Sequence, residues 1–384
     1  MKRFFCLVFV LCGLTTIQAR QRQNFDADWL FILADSAQMS KVDYDDAWWR
    51  LLDVPHDWAI EGDFYVGNPS GAGGGALPGG IGWYRKHFTL GDCETPMKET
   101  KFFLEFDGVY MNSTVYVNGQ KVGFRPYGYS SFEYDITPYV HEGENVVAVR
   151  VDNSDQPNSR WYSGCGIYRH VWLTKTAPVY VAHWGTNVQT TVAKGKGKVD
   201  IEVTLEGQGS VENTLIDPNG KVVGRSKGLK SAISVSKPLL WSCETPNIYK
   251  VRTQLIAGGK VVDTYETTTG FRSFRFDPET GFWLNGKNFK LNGVCEHHDF
   301  GCLGAALNED ALHRKLSKLK AMGVNSIRSS HNPPAPELLN MCDTMGLIVM
   351  DESFDMWRRK KTQNDYARFF DEWHERDLTD LVVR

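Results

Sequence analysis

The stretch Lys290-Leu-Asn-Gly-Val-Cys295 and the polar residues after it, Glu296-His-His-Asp299, begin the segment that decides the fold of this chain. The first run reads as a short strand, and apolar residues at helical spacing follow it. Asn308 can cap this helix, and Gly323 can end it. A second strand, Asn325-Ser-Ile-Arg-Ser-Ser330, comes next. Strands that alternate with helices in this way predict a parallel sheet.

The same pattern continues through a third strand. His331 follows the second strand, prolines from Pro333 onward open another helix, and Gly346 closes it. Leu347-Ile-Val-Met350 is an unbroken apolar run, which predicts a parallel strand covered on both faces. It ends in Asp351-Glu352. Each strand thus delivers polar residues at its carboxyl end, where a (β/α)8 barrel keeps its chemistry.

Length and composition bound the remaining possibilities. The chain has 384 residues, which is enough for two or three domains, and its hydrophobic fraction of 42% is that of a globular protein. The formal net charge of −3 gives no basic surface for nucleic acid. The 12 Trp fit either a sandwich core or faces that bind carbohydrate, and composition favours the core.

The amino terminus predicts export. Lys2 and Arg3 precede the apolar run Phe4–Leu14, and small residues up to Ala19 follow. This is the pattern of a signal peptide over residues 1–19, cleaved after Ala19. The mature protein is therefore expected in the periplasm or outside the cell, with no other membrane span.

The six cysteines of the predicted mature chain show no spacing typical of a metal site. A chain of this size does not depend on disulfides, even after export. We expect mostly free or buried thiols, with Cys295 and Cys302 as the one candidate pair.

Residues 20–177 read as an all-β domain of the jelly-roll type. Ser113–Val117 and Lys121–Phe124 are short strands, and Asn118-Gly119 between them predicts a tight hairpin turn. Many such strands at regular spacing indicate a sandwich. The glycine-rich stretch from Gly67 to Gly82 lacks the Lys-Ser/Thr of a phosphate cradle, which favours an ordinary loop.

Residues 178–272 predict a second β-sandwich, of the immunoglobulin-like type. Val199-Asp-Ile-Glu-Val-Thr-Leu205 alternates strictly between apolar and polar residues. Nothing in this domain suggests catalysis, so a spacer is the default role. Residues 273–384 then hold the first three units of a (β/α)8 TIM barrel.

The order of these domains and several motifs resemble glycoside hydrolase family 2. The motifs are Ser159-Arg-Trp-Tyr-Ser-Gly-Cys-Gly-Ile-Tyr-Arg169, Asn292-Gly-Val-Cys-Glu-His-His298 and Asn325-Ser-Ile-Arg-Ser-Ser-His331. Two departures are Cys295, where the family commonly has Asn, and Asn332 in place of Tyr. Within the family, Asp351-Glu-Ser-Phe-Asp-Met-Trp357 looks most like the β-galactosidase branch.

The resemblance implies a glycosidase that retains the anomeric configuration and needs an acid/base and a nucleophile. In the family both are glutamates on later barrel strands, so we expect them beyond Arg384 and no catalytic residue within the chain. The 384-residue chain itself is then expected to be inactive. Asp351 and Glu352 are interpreted as supporting carboxylates, although their strand-end position also suggests catalysis.

The resemblance also suggests which side chains touch the sugar. The alternatives are structural: a histidine satisfied by strand carbonyls, a surface salt bridge for Arg160, and closure of the barrel rim by Trp357. The predicted substrate-binding residues are His297, His331, Asp355, Arg160, Asn158 and Trp357.

We expect no cofactor and no metal. Glu296 to Asp299 could suggest ligands, but neighbouring strand residues point to opposite faces and rarely converge. Some family galactosidases hold Mg²⁺ with a Glu where this chain has Met356, a poor ligand for a hard cation. The expected partner is an oligosaccharide or glycoside substrate. The sequence does not decide between a monomer and a homo-oligomer. The rival interpretations are a non-catalytic carbohydrate-binding remnant and a β-glucuronidase or β-mannosidase of the same family.

Overall fold

A computed structural model describes residues 20–91 and 96–384. The predicted signal peptide and Cys93 lie outside the described residues. Within them the chain forms a jelly-roll sandwich, an immunoglobulin-like sandwich and the first strand–helix units of a barrel, in that order. The predicted fold class is thus confirmed, whereas the residue boundaries of the domains stay a prediction.

The jelly roll consists of two antiparallel sheets that enclose an aromatic core. One sheet has the strand order β1-β10-β5-β8 and the other β3-β2-β4-β9-β6-β7. Trp29, Tyr84, Phe102 and Phe106 are among the fully buried side chains between them. The strands are β1 Gln21–Asn24, β2 Trp29–Leu33, β3 Arg50–Leu52, β4 Gly80–Leu90, β5 Lys101–Phe106, β6 Ser113–Val117, β7 Gln120–Arg125, β8 Phe132–Asp135, β9 Gly143–Asn153 and β10 Val171–Thr176.

The predicted hairpin turn is confirmed. Asn118 and Gly119 join β6 to β7 with φ values of +49° and +77°. Positive φ at both central residues is the primed turn that matches the twist of an antiparallel pair.

The second sandwich packs a sheet β11-β12-β15 against a sheet β14-β13-β16-β17. Alternate residues of β12, such as Val199, Ile201 and Val203, are buried, as the strict alternation of the sequence requires. The strands are β11 Tyr180–Ala193, β12 Lys196–Glu206, β13 Ser210–Ile216, β14 Val222–Lys227, β15 Lys230–Ser236, β16 Tyr249–Ala257 and β17 Lys260–Thr269.

The barrel units form a parallel sheet of order β21-β22-β23, which follows a small antiparallel sheet. Asn308 accepts a hydrogen bond from the Ala311 backbone N–H at 2.9 Å and caps the first helix, as predicted. The elements are β18 Phe274–Asp277, β19 Gly281–Leu284, β20 Lys287–Asn288, β21 Gly293–Glu296, α1 Glu309–Ala321, β22 Ser326–Ser329, α2 Pro336–Met345, β23 Ile348–Met350 and α3 Phe370–Val383.

Two expectations about this region are wrong. β23 is not covered on both faces, because Val349 packs with the helices while Met350 on the inner face is 58% exposed. Cys295 and Cys302 are both free and exposed and do not form a disulfide. The Cys295 thiol instead lies 3.6 Å from Arg328 Nη1 on the neighbouring strand.

No helix in the described ranges is both long enough and apolar enough to cross a membrane.

Candidate functional site

The carboxyl ends of β22 and β23 border an open cleft of about 940 Å³. A loop from the first sandwich, between β9 and β10, closes one side of it with Arg160. The structure thus brings together the following residues proposed from the sequence: Arg160, His331, Asp351, Glu352, Asp355 and Trp357.

Glu352 has cationic or hydrogen-bonded partners at both carboxylate oxygens. Arg328 Nε donates to one oxygen at 2.5 Å, and His331 Nδ1 lies 2.9 Å from the other. The Glu352 backbone N–H also donates to Ser329 Oγ at 2.9 Å. Through these contacts Glu352 orients the side chains of Arg328 and His331, as expected of a supporting carboxylate.

Asp355 is held between two cations of different domains. Arg160 Nη2 and Lys361 Nζ donate to Asp355 Oδ1 at 2.5 and 2.9 Å, and Arg160 Nε donates to the other oxygen at 2.9 Å. The Asp355 side chain is only 3% exposed. Burial raises its pKa, but the hydrogen bonds from Arg160 and Lys361 outweigh burial and hold the pKa below the ordinary value. The salt bridge considered for Arg160 is therefore present, and it joins the first sandwich to the cleft.

Two histidines lie against one tryptophan behind the cleft. The Trp161 ring lies 5.1 Å from the His297 ring and 5.3 Å from the His331 ring, and the two imidazoles are 5.9 Å apart. Burial and the neighbouring His331 lower the pKa of His297, which keeps this imidazole neutral. Among the described residues His297 Nδ1 is buried and has no hydrogen-bond partner, and His297 does not border the open cleft.

Two predicted residues behave differently from the rest. Asn158 is 5% exposed and does not border the cleft. Its amide donates to Asn153 Oδ1 and the Asp155 carbonyl, and its oxygen accepts from Tyr110 Oη at 3.0 Å. The substrate contact of Asn158 stays a prediction, and in this structure its polar atoms are engaged within the first sandwich. Trp357 is 61% exposed, and one face of its indole stacks on Phe370 at 5.6 Å.

The four residues after β21 do not converge on one point. Glu296 pairs with Lys315 of α1 at 2.7 Å. His298 is half-buried beside Tyr129 and donates from Nε2 to the Ser163 carbonyl at 3.0 Å, and desolvation lowers its pKa to about 4. Only His297 faces His331.

Asp351 lies at the border of the cleft, whereas Met356 is buried. Asp351 is 3.6 Å from Arg384 Nη2, and burial raises the pKa of its carboxyl. Met356 is 5% exposed below the cleft, against Tyr127 and Tyr366.

Sequence reasoning missed the positions of Trp161 and Lys361. Trp161 lies in the motif 159–169, but no periodic pattern shows that a loop of another domain reaches the barrel histidines. Lys361 lies in an irregular loop, so its contact with Asp355 had no signal in the sequence.

Three family models match consecutive parts of the chain. A model described as the sugar binding domain of glycosyl hydrolases family 2 matches residues 75–177. A second family 2 model matches residues 176–272, and the family 2 TIM barrel domain matches residues 278–376.

Known proteins resemble the chain along nearly all of its length. It is 52% identical over 387 residues to the β-galactosidase BoGH2A of Bacteroides ovatus, which covers 96% of the chain and 45% of that protein. A crystal structure of a β-glycosidase from Bacteroides vulgatus superimposes with a TM-score of 0.91 at 41% identity, over 95% of the chain and 48% of that structure. The crystal structure of a Bacteroides uniformis β-glucuronidase superimposes with a TM-score of 0.82 at 30% identity, over 94% of the chain and 45% of that structure. The chain thus spans about half the length of these relatives.

Proposed function

Because this chain belongs to glycoside hydrolase family 2, we propose that the protein hydrolyses terminal β-glycosides, specifically β-galactosides, with retention of configuration. The observation that carries the choice of sugar is the 52% identity with the Bacteroides ovatus β-galactosidase over 96% of the chain. We also propose that the protein is exported, on the basis of the signal-peptide pattern.

In this proposal the chain supplies the substrate side of the active site. His331 borders the cleft and can donate or accept a hydrogen bond at a sugar hydroxyl, while the neutral His297 lies behind it across the Trp161 ring. Asp355 stays ionised because Arg160 and Lys361 hold it, so it can accept hydrogen bonds from hydroxyls. The free face of Trp357 can stack on a sugar ring.

The carboxylates at the cleft do not form a catalytic pair. A retaining mechanism needs a proton donor and a nucleophile whose carboxyl groups are ~5–5.5 Å apart and free to act. Glu352 and Asp355 are instead engaged by cations. We therefore propose that both catalytic glutamates lie outside this chain.

Two assays test the proposed activity. The purified 384-residue chain should not turn over nitrophenyl β-galactoside, whereas the full-length protein should release the β-anomer first, as followed by NMR. Turnover by the short chain that is lost in Glu352→Gln would assign catalysis to Glu352 and reject the proposed division of roles. Binding without turnover by the full-length protein would favour the non-catalytic alternative.

A β-glucuronidase is the second candidate, and the charge of the cleft supports it. Arg359 and Lys360 border the opening, and neither has an acidic partner within the described ranges. Two free cations favour a substrate with a carboxylate. The ratio of kcat/KM for nitrophenyl β-glucuronide and β-galactoside decides between the two sugars. A ratio above one that falls in Arg359→Ala/Lys360→Ala, with the matched exposed pair Lys196→Ala/Lys198→Ala as control, would favour the glucuronidase.

A further inference from the structure

Two carboxylates of the jelly roll lie directly opposite each other on neighbouring strands. Glu105 of β5 and Glu133 of β8 are register partners, and their side chains are only 2% and 17% exposed. Like charges in this position repel, and burial strengthens the repulsion. Arg22 Nε donates to Glu105 Oε2 at 3.0 Å, but no donor within the described ranges forms a hydrogen bond with Glu133.

An imidazole of the second sandwich points at the same two carboxylates. His183 Nδ1 lies 3.3 Å from Glu133 Oε2, and His183 Nε2 lies 3.4 Å from Glu105 Oε1. His183 stands in an irregular part of β11, where the pairing with β12 shifts between Val181 and Thr186. Such bulges redirect side chains out of the regular alternation. The irregularity therefore directs His183 toward the first sandwich.

The two close contacts of His183 are not hydrogen bonds. His183 Nε2 is buried and has no hydrogen-bond partner among the described residues. In a tetrahedral metal site the oxygen ligands lie off the axis of the nitrogen lone pair. With metal–ligand bonds of about 2.0–2.1 Å, neighbouring ligand atoms are roughly 3.4 Å apart. One ion can bind only one of the two imidazole nitrogens. Nε2, which has no hydrogen-bond partner among the described residues, lies 3.4 Å from Glu105 Oε1, which is the spacing of two ligands on one ion.

Nearby arginines do not cancel the negative charge. Arg20 pairs with Asp263 at 3.1 Å, and Arg22 occupies only one oxygen of Glu105. Glu105 Oε1, both oxygens of Glu133 and a nitrogen of His183 stay available. One ligand atom from each residue lies within 4.8 Å of the other two.

We propose that Glu105, Glu133 and His183 bind a divalent transition-metal ion, with Zn²⁺ as the best fit, at the contact between the two sandwiches. One nitrogen and two carboxylate ligands are a set that Zn²⁺ accepts, and water completes the tetrahedron. Because the ligands come from two domains, the ion fixes one sandwich against the other. This site revises the expectation from sequence that the chain holds no metal, and it is independent of the proposed glycosidase activity.

The first experiment measures the stoichiometry and affinity of Zn²⁺. The chelator-treated protein is dialysed against Zn²⁺, and bound metal is counted by mass spectrometry. We expect one ion per chain, and at least tenfold weaker binding in His183→Gln and in Glu133→Gln. His313→Gln, an exposed histidine of α1, should bind as the unchanged protein does. Wild-type protein that binds no Zn²⁺, or a His183→Gln variant that binds as the wild type does, would overturn the proposal.

A second measurement locates the ion and does not depend on any variant folding. Crystals of the unchanged protein with Zn²⁺ should give an anomalous peak within coordination distance of Glu105, Glu133 and His183. A peak only elsewhere, or none, would reject the site. Neither measurement uses a glycoside, so a negative result would leave the proposed function untouched.

Discussion

Glu352 and Asp355 each lie against at least one cation at the barrel mouth: Glu352 against Arg328, and Asp355 against Arg160 and Lys361. Removing one partner of a buried pair costs more than removing an exposed pair, because the other charge stays buried and unpaired. Single residues here therefore affect stability and substrate contact together, and the experiments below separate the two.

The first prediction concerns the pH dependence of Asp355. Its pKa in the folded protein is lowered, so its ionised form contributes stability above the ordinary value, and this contribution is lost as pH falls through the lowered pKa. Asp355→Asn should lower the free energy of unfolding at pH 7, and the difference should shrink below about pH 4. Denaturant unfolding of the wild type and of Asp355→Asn at several pH values measures this difference in free energy. Asp371→Asn, in a fully exposed pair with Arg358, is the control and should change little. A loss that does not vary with pH would contradict the ion-pair explanation.

The second prediction concerns His331. In the full-length protein His331→Ala should lower kcat/KM by about tenfold or more, because under the proposed function it removes an imidazole beside the sugar and takes one partner from Glu352. The melting temperature should change little, since His331 is half-buried. His313→Ala on the surface of α1 serves as the control. Unchanged kinetics with unchanged melting would show that His331 has no substrate-side role.

The strand-end positions of His297 and His331 could be predicted, because the sequence pattern reveals where the strands end. The Trp161 ring between them could not, since it comes from a loop of another domain. Asn158 differs from Arg160 in its surroundings. It belongs to the same loop as Arg160, but its side-chain amide is hydrogen-bonded to neighbouring residues of the first sandwich. A shared motif does not show which side chains face solvent.

Helices α1 and α2 both end at a glycine with positive φ, +88° at Gly323 and +76° at Gly346. A Cβ at Gly346 would lie 2.4 Å from the Cys243 carbonyl oxygen, whereas at Gly323 it would meet nothing within 4 Å. The backbone conformation is thus the same, but only one glycine has a close neighbour.

The third prediction follows from this difference. Gly323→Ala should lower the free energy of unfolding by about 1–2 kcal/mol, the cost of a left-handed residue. Gly346→Ala should cost clearly more, because the Cys243 backbone must also move. Thermal and denaturant unfolding of the two variants provide the comparison. Equal losses of unfolding free energy in the two variants would mean that the backbone around Cys243 moves away from the new methyl group without measurable cost.

At the scale of elements, local chemistry explains what sequence predicted well. Asn308 and Gly346 set the ends of helices, and Asn118-Gly119 sets a hairpin, through the conformations these residues favour. The burial of β23 was mispredicted because an apolar run shows only that residues can be buried. What covers each face depends on tertiary packing.

Across the whole molecule, buried polar contacts join the first sandwich to the barrel units. Arg125 Nη2 donates to Asp377 at 2.7 Å and to Asp380 at 2.5 Å, and Arg169 Nη2 donates to the Pro333 carbonyl at 3.0 Å. Sequence patterns are local, so they could predict the three domains but not the residues that connect them.

The fourth prediction tests the strongest of these connections. Arg125→Met leaves the fully buried Asp377 without its cation, which should lower the free energy of unfolding by about 3–5 kcal/mol. Arg252→Met breaks the exposed pair with Glu266 and should cost about 1 kcal/mol or less. Denaturant unfolding measures both. Similar losses in the two variants would show that the domain contact contributes little.

The contact between Arg160 and Asp355 forms late during synthesis of the chain. The two residues are 195 positions apart in the chain. A ribosome that adds 5–20 residues per second needs roughly 10 to 40 s to make that stretch. Throughout this interval the nascent first sandwich presents Arg160 without its carboxylate partner. Any factor that binds this loop during synthesis therefore has a limited time in which to act, which ends when Asp355, after the third barrel strand, leaves the ribosome.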